Sequence, residues 1–231
     1  MMRRIVEEVG VERAKGIIRE GGGDFYVYLA SSKRVKGKDA GELMLWLSEF
    51  VGEGGGRVVG EGWGEGDETP LMIAVGKGDI VLAGVILRLM EEGGVNRVRK
   101  GGDNALIMAL KNRSKEIVEV ILKEGKGVEG NATDGGGVTA LHICAEWGWK
   151  EGCIMLLEKG ADVHRKCGVH VHGKVRNVTA RGLANCLDNE CGKVLMEAGK
   201  REVEIKRGGE VPEWAKKYGV GGEDMLPPAP K

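Results

Sequence analysis

The sequence contains few aromatic residues, and this limits the kind of core that it can form. Phe, Trp and Tyr make up 4% of the 231 residues, with only 2 Phe among them. Such a core must be built from Leu, Ile, Val, Met and Ala in thin layers, which suits stacked short helices better than a large enzyme core. Glycine is abundant instead, at 41 residues.

The chain also lacks net charge and long hydrophobic runs. Its 35 Lys and Arg residues balance its 35 Asp and Glu residues. A balanced chain has no overall field that attracts nucleic acid or an acidic membrane. No apolar run approaches the roughly 18 residues of a membrane span, and the N-terminal residues show no apolar stretch of an export signal. The sequence therefore predicts neither nucleic acid nor membrane as a partner.

The cysteine count is low and odd, which argues against a disulfide framework. The five cysteines are Cys144, Cys153, Cys167, Cys186 and Cys191. Without an export signal, reduced thiols in the cytoplasm or nucleus are the favoured interpretation.

Sequence patterns of catalysis are missing as well. The chain has no Walker sequence, no H-E-x-x-H, no nucleophile elbow and no kinase motif set. A G-x-G-x-x-G pattern at 125–130 follows a predicted helix and leads into a loop, which is the reverse of the context that phosphate binding needs. The sequence predicts no catalytic residue, no cofactor and no enzyme activity.

Three segments of the sequence repeat at a fixed interval. They read TPLMIA from Thr69, NALIMA from Asn104 and TALHICA from Thr139, and a weaker copy begins at Thr179. Their leucines Leu71, Leu106 and Leu141 are 35 residues apart. A second apolar stretch follows each segment, as in EIVEVILKEG from Glu116, where the spacing of the apolar residues is helical. Each period therefore predicts a helix, a tight turn, a second helix and a Gly-rich connection.

Several residues of the period have expected local roles. Thr69 and Thr139 are predicted helix N-caps, Pro70 suits a first helical position, and the leucines are expected in the core. Positive φ is expected at the turn residues Gly78, Arg113 and Gly148, where the Arg costs about 1 kcal/mol. It is also expected at the helix-ending residues Gly125, Gly160 and Gly199.

These residues resemble the ankyrin repeat family. The resemblance is carried by TPLMIAVGKGDI from Thr69, KEIVEVILKEGKGV from Lys115 and VTALHICAEWGWKEGCIMLLEKGADVH from Val138. It implies an all-α ankyrin-repeat solenoid, with stacked helix–turn–helix units and finger loops. It also implies that His142 bridges adjacent loops, rather than acting in catalysis.

The resemblance divides the chain into three parts. Degenerate ankyrin-like repeats and a Gly-rich loop are expected at 1–65, ankyrin repeats at 66–200, and a tail at 201–231. Within the middle part, the expected repeats are 66–101, 102–135, 136–174 and 175–200. The loop between Asp162 and Thr179 is longer than the earlier ones. In the tail, Trp214 and Tyr218 either dock on the last repeat or form a linear motif for a partner.

The family resemblance implies that the chain binds another protein through a concave face, as a monomer or as a subunit of a hetero-complex. The candidate contact residues are Lys77, Lys111, Asn112, Trp147, Trp149 and Trp63. Trp147 is the leading candidate because interface anchors are enriched in Trp. In the alternative interpretation, Trp147 or Trp149 packs on a neighbouring repeat. Lys77, Lys111, Arg113 and Lys115 would make this face locally positive. It is then either suited to an acidic partner segment or an ordinary solvated surface.

Two other functions remain open at this stage. His164, Cys167, His170 and His172 form an H-x2-C-x2-H-x-H pattern, and Cys186 and Cys191 follow. Thiolate and imidazole are ligands of Zn²⁺, so loop 164–172 suggests a metal-sensing or redox-sensing module. The spacing matches no standard zinc site, and we expect no metal there. The second alternative is a regulatory subunit or inhibitor of an enzyme, with the tail carrying the effect.

Overall fold

A computed structural model of the chain describes Leu45 and residues 66–171, 174–187 and 189–206. The chain divides into two compact units, Met1–Val128 (unit 1) and Glu129–Lys231 (unit 2). The predicted segments at 1–65 and 207–231 lie outside the described residues, apart from the helical Leu45.

The described residues of unit 1 from Gly66 onwards form two helical pairs. Its elements are α1 (Pro70–Lys77), α2 (Ile80–Leu89), a short 3-10 helix (Gly94–Asn96), α3 (Ala105–Lys111) and α4 (Lys115–Glu124). α1 packs on α2 and α3, and α4 packs on α2 and α3. The first helices therefore form one layer and the second helices another, as the family resemblance predicts.

In unit 2, the residues that the structure describes form two helical pairs and a β-hairpin. Its elements are α5 (Ala140–Trp147), α6 (Lys150–Glu158), β1 (Lys166–Val171), β2 (Lys174–Thr179), α7 (Ala180–Cys186) and α8 (Cys191–Lys206). α5 packs on α6 and α7, and α8 packs on α6 and α7. β1 and β2 are antiparallel, with Lys166 opposite Thr179 and Val171 opposite Lys174.

The helix starts follow the sequence prediction. The Thr69 hydroxyl accepts a hydrogen bond from the Met72 N–H at 3.2 Å, and the Thr139 hydroxyl accepts one from the His142 N–H at 3.3 Å. Asn104 fills the same role in α3, because its side-chain oxygen accepts a hydrogen bond from the Ile107 N–H at 2.9 Å. These caps satisfy N–H groups that have no partner within the helix.

The repeated leucines form the core of both units. Leu71 and Leu106 in unit 1 and Leu141 in unit 2 are at most 1% exposed. Burial of one leucine side chain contributes about 2 kcal/mol to folding. The equal burial of these three leucines confirms the 35-residue period as the unit of core packing.

The tight turns between paired helices use the left-handed backbone region. Gly78 and Gly148 have φ values of 70° and 72°, and Arg113 has a φ of 56°. Glycine adopts this region without steric cost, whereas the Cβ of arginine is strained there. The predicted strain at Arg113 is confirmed.

The positive φ predicted for two helix-ending glycines is wrong, although Gly125 is the C-cap residue as predicted. Gly125 ends α4 with φ of −67°, in extended backbone, and no left-handed residue is needed there. Gly199 lies inside α8, which continues to Lys206. The helix therefore extends six residues into the segment that the sequence assigned to the tail. Gly160 does adopt positive φ, at 77°.

The long loop after Asp162 is ordered as the hairpin β1–β2, so the expected all-α fold includes one small sheet. No helix within 66–171, 174–187 or 189–206 is long and apolar enough to span a bilayer.

Candidate functional site

Four candidate contact residues lie at the C-terminal ends of first helices. Lys77 ends α1, Lys111 ends α3 and is followed by Asn112, and Trp147 ends α5. Lys77, Lys111 and Asn112 are exposed, whereas Trp147 is partly buried. We call these the helix-end residues; three of them lie in unit 1, and Trp147 lies in unit 2.

The positive charge of unit 1 is partly balanced by its own carboxylates. Lys111 Nζ lies 2.8 Å from Asp103 Oδ1, and Arg99 lies 3.2 Å from Asp103 Oδ2. Arg99 also pairs with Glu68 at 3.1 Å. Because Asp103 is only 6% exposed, its charge acts mainly on these neighbours. Lys111 is therefore a weaker source of positive field than the sequence suggests.

The Trp147 ring packs against the ring of a second tryptophan, Trp149. The ring centroids of Trp147 and Trp149 are 5.2 Å apart, and the ring planes are tilted by 55°. Tilted rings at this centroid distance attract each other. Trp149 is 3% exposed, so Trp147 rests on a buried ring while part of its own surface faces solvent.

Trp149 belongs to the core and not to a binding surface, which corrects its place among the candidate residues. Its ring covers Gly152, where an added Cβ would overlap the ring atoms. In unit 1 the equivalent positions, 35 residues earlier, hold Ser114 and the buried Ile117. The Trp149 ring therefore fills the space that the Ile117 side chain fills in unit 1. The small residue at position 152 was the signal that could have revealed this exchange.

His142 has the structural role that the resemblance implied. Its Nε2 lies 3.0 Å from the carbonyl oxygen of Val178 in β2, and its Nδ1 lies 2.7 Å from the Thr139 hydroxyl. Since a carbonyl only accepts, Nε2 carries the proton and donates, and in the neutral ring Nδ1 accepts from the hydroxyl. Burial lowers the pKa of His142, against the opposing effect of the Val178 carbonyl. The ring is thus a neutral bridge between α5 and the hairpin.

Three cysteines of unit 2 lie together inside the core. Cys144, Cys153 and Cys191 come from α5, α6 and α8, and each is 0% exposed. Hydrogen bonding to Cys144 raises the pKa of the Cys153 thiol, and hydrogen bonding to Cys153 raises that of Cys191; burial adds to both. Buried thiols with a raised pKa are poor nucleophiles, so Cys153 and Cys191 contribute to core packing rather than to reactivity.

The His/Cys pattern of loop 164–172 does not form a ligand cluster in the described part of the chain. Cys167 is buried against Leu183, and burial raises its pKa. His164 is exposed and Cys186 is exposed. Within the described ranges, no group of three or more His, Cys, Asp or Glu side chains is arranged to hold a metal. His172 and the side chain of His170 lie outside what the structure describes.

Asparagines link successive loops within each unit. In unit 1 the Asn96 amide donates to the Gly127 carbonyl at 2.7 Å. In unit 2 the Asn131 amide donates to the Gly160 carbonyl at 3.1 Å, and its oxygen accepts from the Asp162 N–H at 2.8 Å. These contacts hold successive loops in register within each unit.

Two predictions on aromatic residues fall outside the described residues. Trp63 lies in the Gly-rich segment, and Trp214 and Tyr218 lie in the C-terminal segment. Trp63 remains a predicted contact residue. For Trp214 and Tyr218, docking on the last repeat and a linear motif for a partner both remain predictions.

Comparisons with known proteins agree with this architecture. A family model described as ankyrin repeats (3 copies) matches residues 49–134 and 71–167. The E3 ubiquitin-protein ligase KEG of Arabidopsis thaliana is 29% identical over 156 residues, which make up 66% of this chain and 9% of that protein. The chain thus spans less than a tenth of the length of this relative, and ligase activity is a property of that whole protein.

Proposed function

Because this chain belongs to the ankyrin repeat family, we propose that it is a protein-interaction module that binds a partner through its helix-end residues. In unit 1, Lys77 and Asn112 contribute to specificity, and in unit 2, Trp147 does so, while the repeated leucines hold the layers of each unit together. We further propose that it acts without catalysis or cofactor in the cytoplasm or nucleus, as a monomer or as a subunit of a hetero-complex. Its free cysteines are in keeping with a reducing compartment.

The observation that carries this proposal is the placement of Trp147 on the buried Trp149 ring. A side chain that is already held in place loses little conformational entropy when a partner covers it. Trp also contributes a large contact area and is enriched among residues that dominate interface energies. Trp147 therefore has the properties of an anchor residue in the free protein.

The experiment begins by identifying partners of the full chain by affinity capture from its native source. The affinity of one purified partner is then measured for the wild type, Trp147→Ala and Glu146→Ala. Glu146 is the matched control, because it is an exposed neighbour on the same helix. We expect Trp147→Ala to weaken the complex about 30-fold, which corresponds to about 2 kcal/mol, and Glu146→Ala to leave it nearly unchanged.

Thermal unfolding of the same variants separates binding from folding. The proposal requires that Trp147→Ala keeps the melting temperature of the wild type within a few degrees. If the variant loses stability and affinity together, Trp147 is a core residue and the anchor assignment is wrong.

A further inference from the structure

The hairpin of unit 2 carries a local concentration of positive charge. No Asp or Glu occurs between Asp162 and Asp188. The five basic residues in this interval are Arg165, Lys166, Lys174, Arg176 and Arg181. We call residues 165–181 the basic hairpin.

The strand pairing brings these charges into one small element. Lys166 is opposite Thr179, Arg176 is opposite Val169, and Lys174 is opposite Val171. The side chains of Arg165, Lys166 and Arg181 are exposed. Basic residues thus occur on both strands, at the base of the hairpin and towards its tip.

The charge of the basic hairpin stands against an opposite charge on the remainder of unit 2. All acidic residues of unit 2 lie outside the basic hairpin, and the remainder of the unit has fifteen of them against ten basic residues. Unit 2 is therefore polarised, although the chain as a whole is neutral. Complementary fields at this scale choose partners and orient their approach.

The backbone of the hairpin offers a second means of recognition. Within the described part of the chain, β1 and β2 form a sheet of two strands only. At its base, the Val178 carbonyl already accepts the His142 bond, and Cys167 packs on Leu183. The outer paired residues, 168–171 in β1 and 174–177 in β2, have strand edges to which an extended segment can add by main-chain hydrogen bonds.

We propose that the basic hairpin binds an extended acidic segment of a partner protein, which pairs with a strand edge and places its carboxylates beside the Lys and Arg side chains. This inference shares with the proposed function the premise that the chain binds proteins, but it uses a surface other than Trp147.

A short acidic peptide fits this surface better than nucleic acid. A long polyanion would extend beyond the hairpin and meet the acidic remainder of unit 2, where it is repelled. Residues 165–181 also contain no Phe, Trp or Tyr, the side chains that offer unpaired bases the largest stacking surface. A peptide that covers only the outer strands avoids both problems.

The test uses the full chain and three fluorescent probes. They are a peptide of about ten residues, a usual strand length, that alternates Glu and Thr; a peptide of equal length that alternates Gln and Thr; and an oligouridine RNA. Binding is followed by fluorescence anisotropy at low and at physiological salt. We expect binding of the Glu–Thr peptide, weaker at the higher salt, and much weaker binding of the other two probes.

Two double variants locate the site. Lys174→Glu/Arg176→Glu reverses charge in the hairpin, and we expect it to weaken peptide binding at least about tenfold. Lys150→Glu/Lys159→Glu reverses two exposed charges elsewhere in unit 2 and serves as the matched control, with little effect expected. Circular dichroism melts of both variants confirm that the fold is retained.

Three results would overturn the inference. They are failure of the Glu–Thr peptide to bind, equal weakening by the two double variants, and tighter binding of RNA than of the peptide. The last result would assign the surface to nucleic acid. Trp147→Ala should bind the peptide like the wild type, so a failure here is distinguishable from a failure of the proposed function.

Discussion

The two units solve the same packing problem with different residues. In unit 1, the small Ser114 precedes α4, and Ile117 is buried in the first turn of that helix. In unit 2, the equivalent residues before and within α6 are Trp149 and Gly152. In both units an apolar group fills the space at residue 117 or 152, but in unit 2 that group comes from three residues earlier. The packing of the core thus requires that this apolar volume be filled, but the side chain that fills it can come from either of two neighbouring positions.

The units differ in the same way at two further positions. Ile107 in α3 is apolar and buried, while its equivalent His142 in α5 bridges to the hairpin. The left-handed turn residue is Arg113 in unit 1 and Gly148 in unit 2. Unit 1 is therefore strained at the Arg113 turn, and its buried Ile107 does not titrate. Unit 2 has no such strain at Gly148, but its buried His142 can titrate.

The sharpest test of the comparison exchanges the Trp–Gly pair for the residues of unit 1. Trp149→Ser alone should lower the free energy of unfolding of unit 2 by about 3 kcal/mol, because it leaves a cavity above Gly152. Adding Gly152→Ile should restore most of this loss, because the new side chain fills the same space. Hydrogen exchange of α5–α8 measures both effects.

Gly152→Ile without the first change is the control for this exchange. It should destabilise unit 2, since the new side chain overlaps the Trp149 ring. Additive effects of the two substitutions in the double variant would refute the exchange of volume between positions 149 and 152.

A smaller effect is expected at the turn residue of each unit. Arg113→Gly should stabilise unit 1 by roughly 0.5–1 kcal/mol, since relief of left-handed strain exceeds the added flexibility of the unfolded chain. Gly148→Ala should destabilise unit 2 by about 1 kcal/mol for the opposite reason. Urea unfolding of the two variants provides the values, and equal signs would contradict the assignment of strain.

The smallest effect expected is a pH dependence confined to unit 2. The pKa of His142 is lowered in the folded state from its ordinary value of 6.5, so the unfolded chain binds more protons. The contribution of the neutral His142 ring to the free energy of unfolding is therefore complete above pH 6.5. It decreases as the pH falls from 6.5 towards the folded-state pKa.

Hydrogen exchange of α5 in the wild type and in His142→Ile, compared at neutral pH and at about pH 5.5, checks this prediction. The variant carries the residue type of Ile107, and its stability should lack this component of the pH dependence. The exchange of α3 in unit 1 is the internal control. An identical pH response of the wild type and the variant would show that His142 does not titrate as argued.

Sequence reasoning located the helices because the 35-residue period repeats the features that form them. Caps at Thr69 and Thr139, buried Leu106 and the turn at Gly148 are local rules that each repeat obeys independently. Gly125 and Gly199 were misjudged because a glycine after a helical pattern permits a left-handed cap without requiring one. In α8 the apolar contacts of the helix override the low helix propensity of Gly199.

The site was harder to predict than the fold. Whether Trp149 faces a partner or the core depends on the size of Gly152, three residues away, and no pattern of single residues contains that relation. The hairpin was expected as an extended loop, although Val169 and Val171 show the alternation of a strand. The neutral total charge concealed the polarity of unit 2, since opposite charges in different regions cancel in a sum.

The distribution of the cysteines allows the opening rate of unit 2 to be measured on the wild-type chain. All five lie at or after Cys144, and only Cys186 is exposed, while Cys144, Cys153, Cys167 and Cys191 are buried. A maleimide dye should attach to Cys186 at once and reach the others only when unit 2 opens. The number of dyes per molecule, followed over time by mass spectrometry, thus reports the opening rate of this unit without any engineered probe.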